Sequence, residues 1–150
     1  SGRDALYFQS RGYQVVALEP CESLAVEAER RLGHPVSRLY FQELEWLGVF
    51  DGIWACASLL HVPENELGDV FFRLARALKL GGILYASFKF GTGEVIRNGR
   101  HFTNMDEPRL ETLLQMERPF SILETWVSGD VRAGRQNELW LNCILSSQIG

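Results

Sequence analysis

One apolar stretch of the sequence ends in residues that are able to do chemistry. Residues 50–55 are mostly apolar, and the small and polar residues Ala57, Ser58 and His61 follow them. A run of this kind with a helix after it is typical of a strand buried on both faces of a parallel sheet. Ligands bind beyond the carboxyl ends of such strands, so we expect all three residues to line a site.

His61 is the candidate catalytic residue of that site, because an imidazole can take a proton near neutral pH. A base helps only when the nucleophile carries a proton at the working pH. The alternative is a structural histidine beside Pro63 that bonds to nearby backbone groups.

Three basic residues follow a later apolar run, residues 83–90. Lys89 ends that run, and Arg97 and Arg100 lie in the polar, glycine-rich segment 91–102, which we expect to be a loop. Basic side chains over a site suit an anionic substrate such as a carboxylate or an oxyanion, so these three are the candidate substrate-binding residues. The alternative is a solvated loop whose arginines pair with Glu94.

An acidic residue ends a third apolar run. Residues 14–20 have the composition of a buried strand, and Glu19 lies 17 positions after Gly2. A carboxylate at this distance from a glycine turn is placed to accept both hydroxyls of a ribose. A solvated loop carboxylate is the alternative.

The elements around these residues alternate between helical and strand patterns. Helical spacing covers residues 4–11, 21–32 and 64–78, with Gly81–Gly82 as a stop, and a last helix is capped by Thr103 or Asn104. Strand patterns cover residues 14–20, 36–41, 83–90, 121–127 and 138–145 besides the stretch from residue 50. Such alternation predicts parallel crossovers in an α/β sheet, and the late pair of strands predicts an antiparallel element at one edge.

Composition narrows the classes of protein and partner. The chain has 150 residues, the length of one domain over residues 1–150, and a net charge of −4, which argues against nucleic acid as a partner. No apolar run reaches the roughly 18 residues that span a bilayer, so we expect no membrane partner. The three cysteines are far apart, which predicts reduced, mostly buried thiols in a cytoplasmic protein. No cluster has metal-ligand spacing, so we expect no metal.

The order of elements, together with residues 1–6, 50–62 and 80–85, resembles the class I S-adenosylmethionine-dependent methyltransferases. Within them it is similar to the small bacterial, tellurite-methyltransferase-like group. The resemblance implies a Rossmann-like methyltransferase sheet, mostly parallel with an antiparallel C-terminal strand. It also implies S-adenosyl-L-methionine as cofactor and a small molecule as substrate.

The resemblance assigns cofactor-binding roles position by position. Gly2 matches the last glycine of the family's glycine-rich turn, and Glu19 the acid that binds the ribose. Gln42 and Glu43 match positions near the adenine, and Ala57 and Ser58 those beside the methionine part. The alternatives are a mere chain end for Gly2, solvated side chains at 42 and 43, and a turn cap at Ser58.

The sequence departs from the family at its start, where only Ser1-Gly2 matches the glycine turn. The family's first strand lies between the strands that correspond to residues 15–18 and 53–57, so we expect an N-terminally truncated sheet. The gap is explained by a longer natural protein, by direct pairing of the flanking strands, or by a partner chain. The last predicts a homo-oligomer that completes the sheet.

Three functions remain open at this point. The first is an S-adenosylmethionine-dependent methyltransferase acting on a small, anionic molecule. The second is a non-catalytic, truncated domain that self-associates and binds cofactor weakly or not at all. A nicotinamide-dependent oxidoreductase is the weakest, because the segments after the central strand resemble methyltransferases more closely.

Overall fold

The computed structural model of the protein describes residues 2–150, so Ser1 of the predicted glycine turn lies outside the described residues. The chain divides into two compact units with the boundary between Leu44 and Glu45.

The first unit contains two helices and little sheet. Helix α1 spans Arg3–Ser10 and helix α2 spans Glu22–Leu32. A small core holds them, formed by Ala25, Ala28, Leu32 and Val36 with Ala5 and Ala17 packed against it. Small residues at these positions let the helices and the extended chain approach closely.

The predicted strands over residues 14–20 and 36–41 are wrong as strands. The two segments are extended, but a single parallel bridge between Leu18 and Ser37 joins them. Glu19 N–H donates to Ser37 O at 2.9 Å and Ser37 N–H to Ala17 O at 3.0 Å. The apolar pattern thus corresponds to extended chain, but two hydrogen bonds are too few for a β-ladder. A 3-10 turn over Phe41–Glu43 follows the second segment.

The second unit contains a four-stranded sheet, a hairpin and two helices. Its elements are β1 (Phe50–Ala55), α3 (Glu64–Ala77), β2 (Leu78–Lys89), β3 (Glu94–Arg97), β4 (Arg100–Thr103), α4 (Glu107–Gln115), β5 (Phe120–Gly129) and β6 (Leu139–Ser147). The sheet order is β1-β2-β6-β5. Strand β1 is parallel to β2, and β6 is antiparallel to both β2 and β5. The C-terminal strand is thus the antiparallel one, as predicted.

Helix α3 has the amphipathic face that its sequence predicts, with Leu67, Val70, Phe71 and Leu74 all buried. The predicted stop at Gly81–Gly82 is wrong, because the helix ends at Ala77 and β2 begins at the next residue. Its last carbonyls need no glycine cap. Gly48 N–H donates to Arg76 O at 2.7 Å, and Val49 N–H donates to Ala77 O at 2.9 Å.

The expected loop over residues 91–102 is instead the β3–β4 hairpin. Asn98 and Gly99 connect the strands with φ of 51° and 74°. Two left-handed residues in a row make the tight turn that suits a two-residue hairpin, and Asn-Gly favours it.

The predicted caps of α4 are also wrong. Asp106 is the cap, and its Oδ1 accepts from Arg109 N–H at 2.9 Å. Thr103 is buried, and its hydroxyl donates to Val62 O at 2.8 Å. The Thr103 hydroxyl therefore joins the end of β4 to the residue after His61, and it does not cap α4.

The cysteines are free thiols, but only Cys143 is buried, so the expectation of mostly buried thiols is wrong. Cys21 and Cys56 lie at turns that begin a helix and end a strand, where the chain reaches the surface. Burial raises the pKa of the Cys143 thiol to about 12. This thiol is therefore protonated and packs as a small apolar group.

Candidate functional site

The chain turns sharply where β1 ends, and the turn is held by a buried serine. Ala57 has a φ of 50°, a conformation that costs a non-glycine residue about 1–2 kcal/mol. Its N–H donates to Ser87 Oγ at 2.8 Å, and Ser87, on β2, is only 3% exposed. Strain of this kind persists where surrounding structure fixes it, and it clusters at functional sites.

The turn places Ser58 and His61 beyond the carboxyl end of β1, where the sequence predicts them. His61 N–H donates to Ser58 O at 3.2 Å, which closes a 3-10 turn over Leu59–His61. Ser58 begins this turn through its backbone, and its side chain makes no capping bond. The side chain of His61 is half-buried and faces the β3–β4 hairpin.

Both ring nitrogens of His61 bond to strand β4. Nδ1 lies 2.9 Å from His101 O, and Nε2 lies 2.9 Å from an Arg100 guanidinium nitrogen. A carbonyl only accepts and a guanidinium only donates, so Nδ1 carries the proton and Nε2 presents its lone pair. His61 is therefore a neutral imidazole in the tautomer that a general base acting through Nε2 requires.

Phe102 brings together three of the side chains that the sequence singled out. Its ring centroid lies 4.9 Å from that of His61, 5.1 Å from Lys89 Nζ and 5.8 Å from Arg100 Cζ. Cations at these distances are attracted by the electron-rich face of an aromatic ring. The result is one aromatic side chain bordered by a base and two cations. We call these four residues the Phe102 cluster.

Lys89 and Arg97 share a neighbouring depression of about 250 Å³. Its other lining residues are Phe90, Asn104, Asn137, Glu138 and Leu139. Lys89 Nζ lies 4.0 Å from Glu138 Oε1, so one cation of the pair faces a carboxylate. Arg97 is exposed and makes no ion pair with any described carboxylate. Arg100 does not line this depression and belongs to the Phe102 cluster.

The β5–β6 loop is tied to the same region through Asp130. Its carboxylate accepts from Trp140 Nε1 at 3.1 Å and from the backbone and guanidinium of Arg132. These bonds, with that of the Arg132 guanidinium the strongest, hold the pKa of Asp130 well below its usual range. Asp130 thereby fixes Trp140, whose ring lies 6.0 Å from Lys89 Nζ.

Gly2 and Glu19 lie in the first unit, near α2. Gly2 has a φ of 82°, and a Cβ on it would lie 3.1 Å from Ala28 Cβ, so this position requires glycine. Glu19 is half-buried, and its Oε2 accepts from Cys21 N–H at 3.2 Å. Its Oε1 has no hydrogen-bond partner among the described residues.

Gln42 and Glu43 lie on the 3-10 turn of the first unit rather than at the end of a strand. Glu43 is exposed, and its carboxylate accepts from Tyr40 N–H at 2.7 Å. It therefore caps the turn that carries Gln42, which is half-buried.

Sequence reasoning missed Phe102, Ser87 and Trp140. Phe102 is two residues from Arg100 on one strand, so reading Asn98-Gly99 as a hairpin turn puts both on one face. Ser87 is a polar residue inside an apolar strand, and a buried hydroxyl needs a partner. Trp140 gives no such signal, because its contact with Lys89 depends on how β2 and β6 pair.

Within residues 2–150, no helix is long and apolar enough to cross a membrane. The same residues contain no group of three or more His, Cys, Asp or Glu side chains arranged to hold a metal ion.

A strained strand end, an imidazole and nearby cations are features found in active sites. Comparison with known proteins identifies the family. The sequence model of a family described as a methyltransferase domain matches residues 1–86. This chain belongs to that methyltransferase family. The match confirms the resemblance to S-adenosylmethionine-dependent methyltransferases, and the narrower tellurite-methyltransferase-like grouping stays a prediction. None of the curated protein sequences matches this methyltransferase domain significantly.

Solved structures share the fold of this methyltransferase domain. One is 1,6-didemethyltoxoflavin-N1-methyltransferase from Burkholderia thailandensis, with bound 1,6-didemethyltoxoflavin and S-adenosylhomocysteine. It is 22% identical with a TM-score of 0.77, over 97% of this chain and 66% of that one. A SAM-dependent methyltransferase from Methanosarcina mazei is 18% identical with a TM-score of 0.78, over 97% and 87%.

A third neighbour has a different chemistry in its name. The cyclase SpnF is 19% identical with a TM-score of 0.71, over 99% of this chain and 72% of its own. At these identities the likeness shows the fold alone, and it confirms the predicted Rossmann-like methyltransferase architecture. Because the chain spans 66% of the Burkholderia enzyme, activity and substrate need an argument from this chain's own residues.

Proposed function

We propose that this chain is an S-adenosylmethionine-dependent methyltransferase that acts on a small, anionic molecule. The observation that carries the proposal is His61, a neutral imidazole beyond the carboxyl end of β1 with Arg100 at its Nε2. Methyl transfer needs an aligned nucleophile, and a base where that nucleophile carries a proton. A base surrounded by cations suits an acceptor that is protonated at the reacting atom and anionic elsewhere.

S-adenosylmethionine, when bound, supplies a methyl group on a positively charged sulfur. Two residues of the first unit suit it chemically. Glu19 keeps one carboxylate oxygen without a protein partner, which can accept from a ribose hydroxyl, and Gly2 adds no side chain at a crowded turn. We assign Gln42 and Glu43 to the adenine by the family resemblance.

Ala57 and Ser58 are assigned to the methionine part on the same basis. Ala57's strained backbone is held by Ser87, which keeps this segment in one conformation. In the second unit, His61 takes the acceptor's proton on Nε2. Loss of that proton leaves an electron pair on the acceptor, and S-adenosylmethionine, when bound, would supply the methyl group for this pair.

The basic residues supply the anion-binding part of the proposal. Arg97 and Arg100 are exposed cations without a carboxylate partner among the described residues, and Lys89 is half-buried between aromatic rings. Guanidinium groups bind carboxylates and phosphates through paired hydrogen bonds. We therefore propose that Lys89, Arg97 and Arg100 bind the substrate's anionic group.

Calorimetric titration of this chain with S-adenosylmethionine and S-adenosylhomocysteine tests the cofactor assignment. We expect micromolar binding of both, and about tenfold weaker binding by Glu19→Gln, because a bond to a charged group is worth about 1.5–3 kcal/mol. Glu27→Gln, an exposed carboxylate on α2, is the matched control and should bind as the wild type does. Absence of heat with either compound at millimolar concentration would refute the proposal.

A non-catalytic domain is the second candidate, and two observations favour it. The described sheet ends at β1, and the extended segments of the first unit make only one bridge. The same titration separates the candidates, because the second predicts weak binding or none.

We also propose that a second copy of the chain completes the sheet beside β1. The support is that β1 is an end strand of the sheet and that its Trp54 is 48% exposed. An exposed end strand is a template for pairing with another chain. Analytical ultracentrifugation across a hundredfold range of concentration should show a dimer, and a monomer throughout would refute it.

Two further proposals concern the domain organisation and the compartment. We propose that residues 1–150 unfold as one domain, which a single cooperative transition seen by two probes would support. Three free thiols suit a reducing compartment, and we propose the cytoplasm. Two separate unfolding transitions would overturn the first proposal.

A further inference from the structure

Strand β4 occupies both ring nitrogens of His61 at once. The His101 carbonyl fixes Nδ1, and the Arg100 guanidinium covers Nε2, each at 2.9 Å. The first bond helps a base, because it sets the tautomer and the ring orientation. The second hinders it, because the lone pair that would take a proton already accepts a hydrogen bond from Arg100. His61 therefore has the tautomer and ring orientation that a general base needs, but the Arg100 guanidinium covers its Nε2.

Arg100 differs from the arginines that are committed to carboxylates. Arg73 pairs with Asp69, Arg109 with Glu64 and Arg132 with Asp130, whereas Arg100 pairs with no described carboxylate. Its contacts are the His61 nitrogen and the face of Phe102. A guanidinium has five N–H donors, so most of those of Arg100 face solvent.

An anion is a better partner for Arg100 than a neutral imidazole. The neutral imidazole accepts a single bond from Arg100, whereas a carboxylate accepts two parallel N–H bonds at once and adds the attraction of opposite charges. The Arg100 side chain is exposed, and Arg100 is the first residue of β4, next to the Asn98-Gly99 turn. The side chain can therefore turn away from His61 without moving the strand. The carboxylate on this hairpin does not hold it, because Glu94 faces His101 at 3.6 Å.

The strand itself stays in place when Arg100 turns. Thr103 Oγ donates to Val62 O at 2.8 Å, and Met105 N–H donates to Lys89 O at 2.9 Å. Glu94 Oε1 also accepts from Glu64 N–H at the start of α3. These bonds anchor the hairpin, and the bond from His61 Nδ1–H to His101 O remains.

We propose that Arg100 is a displaceable cover on His61 and that an anionic group of the acceptor removes it. The proposal rests on the proposed methyltransferase function and adds a selection rule to it. Acceptors whose anionic group lies within reach of Arg100 uncover Nε2 and lose their proton to it. Neutral analogues leave the base covered, so Arg100 determines specificity through deprotonation rather than through affinity alone.

Chemical modification of histidine tests the cover without cofactor or turnover. Diethylpyrocarbonate acylates unprotonated imidazole nitrogens, and peptide mass spectrometry separates His34, His61 and His101 after a brief exposure at pH 7. We expect Arg100→Gln to raise the His61 rate about three- to tenfold relative to His34, because the solvent-exposed hydrogen bond that occupies Nε2 is lost. Arg76→Gln is the matched control, since Arg76 lies over Phe72 at 5.7 Å with no histidine.

Titration with sodium benzoate and with neutral benzamide gives a second readout. Benzoate should raise the His61 rate in the wild type and not in Arg100→Gln, and benzamide should change neither. An unchanged His61 rate in Arg100→Gln, or a rate that benzoate lowers, would overturn the cover. Because neither readout uses S-adenosylmethionine, failure of cofactor binding and failure of the cover are told apart.

Discussion

The bond between Ser87 and Ala57 is the contact on which the shape of the β1 end depends, and Ser87→Ala removes it. Ser87 is 3% exposed and Ala57 N–H lies 2.8 Å from its hydroxyl. The substitution leaves the Ala57 N–H of this part-buried pair without its partner, at a cost of about 1–3 kcal/mol. Relief of the left-handed Ala57 offsets part of that, so we expect a net loss of about 1–2 kcal/mol.

Urea unfolding followed by tryptophan fluorescence measures this loss. With a slope of about 2 kcal/mol per molar urea, the midpoint should fall by about 0.5–1 M with the slope unchanged. Ser10→Ala is the control, because its exposed hydroxyl bonds only the Tyr7 carbonyl within α1, and its midpoint should move by less than about 0.25 M.

A functional readout separates this reasoning from a general loss of packing. If the turn carries Ala57 and Ser58 to the methionine part of the cofactor, Ser87→Ala should weaken S-adenosylhomocysteine binding at urea-free conditions where the chain is fully folded. A midpoint that shifts no more than that of Ser10→Ala would refute the argument that this hydrogen bond holds the strained turn.

Three further predictions concern pH, packing and turn chemistry. Arg38 bonds to Glu29 and lowers the pKa of that carboxyl from the usual 4.5 to about 2. The stability that this bond contributes is therefore present above pH 4.5 and is lost as the pH falls towards 2. Urea unfolding at a series of acid pH values should show a smaller fall in the free energy of unfolding for Arg38→Gln than for the wild type. Phe71→Ala should cost about 3–5 kcal/mol by chemical unfolding, because its ring is wholly buried. Gly99→Ala should cost about 1 kcal/mol in the same assay, because φ there is 74°.

The second unit was largely predictable because its signals are local and strong. The apolar face of α3 repeats at three and four residues, and the apolar runs of β2 and β6 have the length of strands. The first unit was less predictable. Residues 14–20 carry a strand pattern, but a ladder needs neighbours that the pattern does not specify.

The site was predictable in place but not in contacts. His61 lies where an α/β sheet places ligands, beyond the end of β1, because chain order fixes that edge. Its partner Arg100 is 39 residues away, and only the β3–β4 hairpin brings the two together. The polar and glycine-rich composition of residues 91–102 concealed that hairpin, and with it the role of Phe102.

The direct passage from α3 into β2 has a consequence for how this domain can vary. No residue separates Ala77 from Leu78, and the last turn of α3 is bonded to the chain just before β1. The α3–β2 junction therefore has no slack in which an insertion could be absorbed. We expect related domains to vary in length in loops such as the turn after β1 and the hairpin after β2, while the α3–β2 junction stays constant in length.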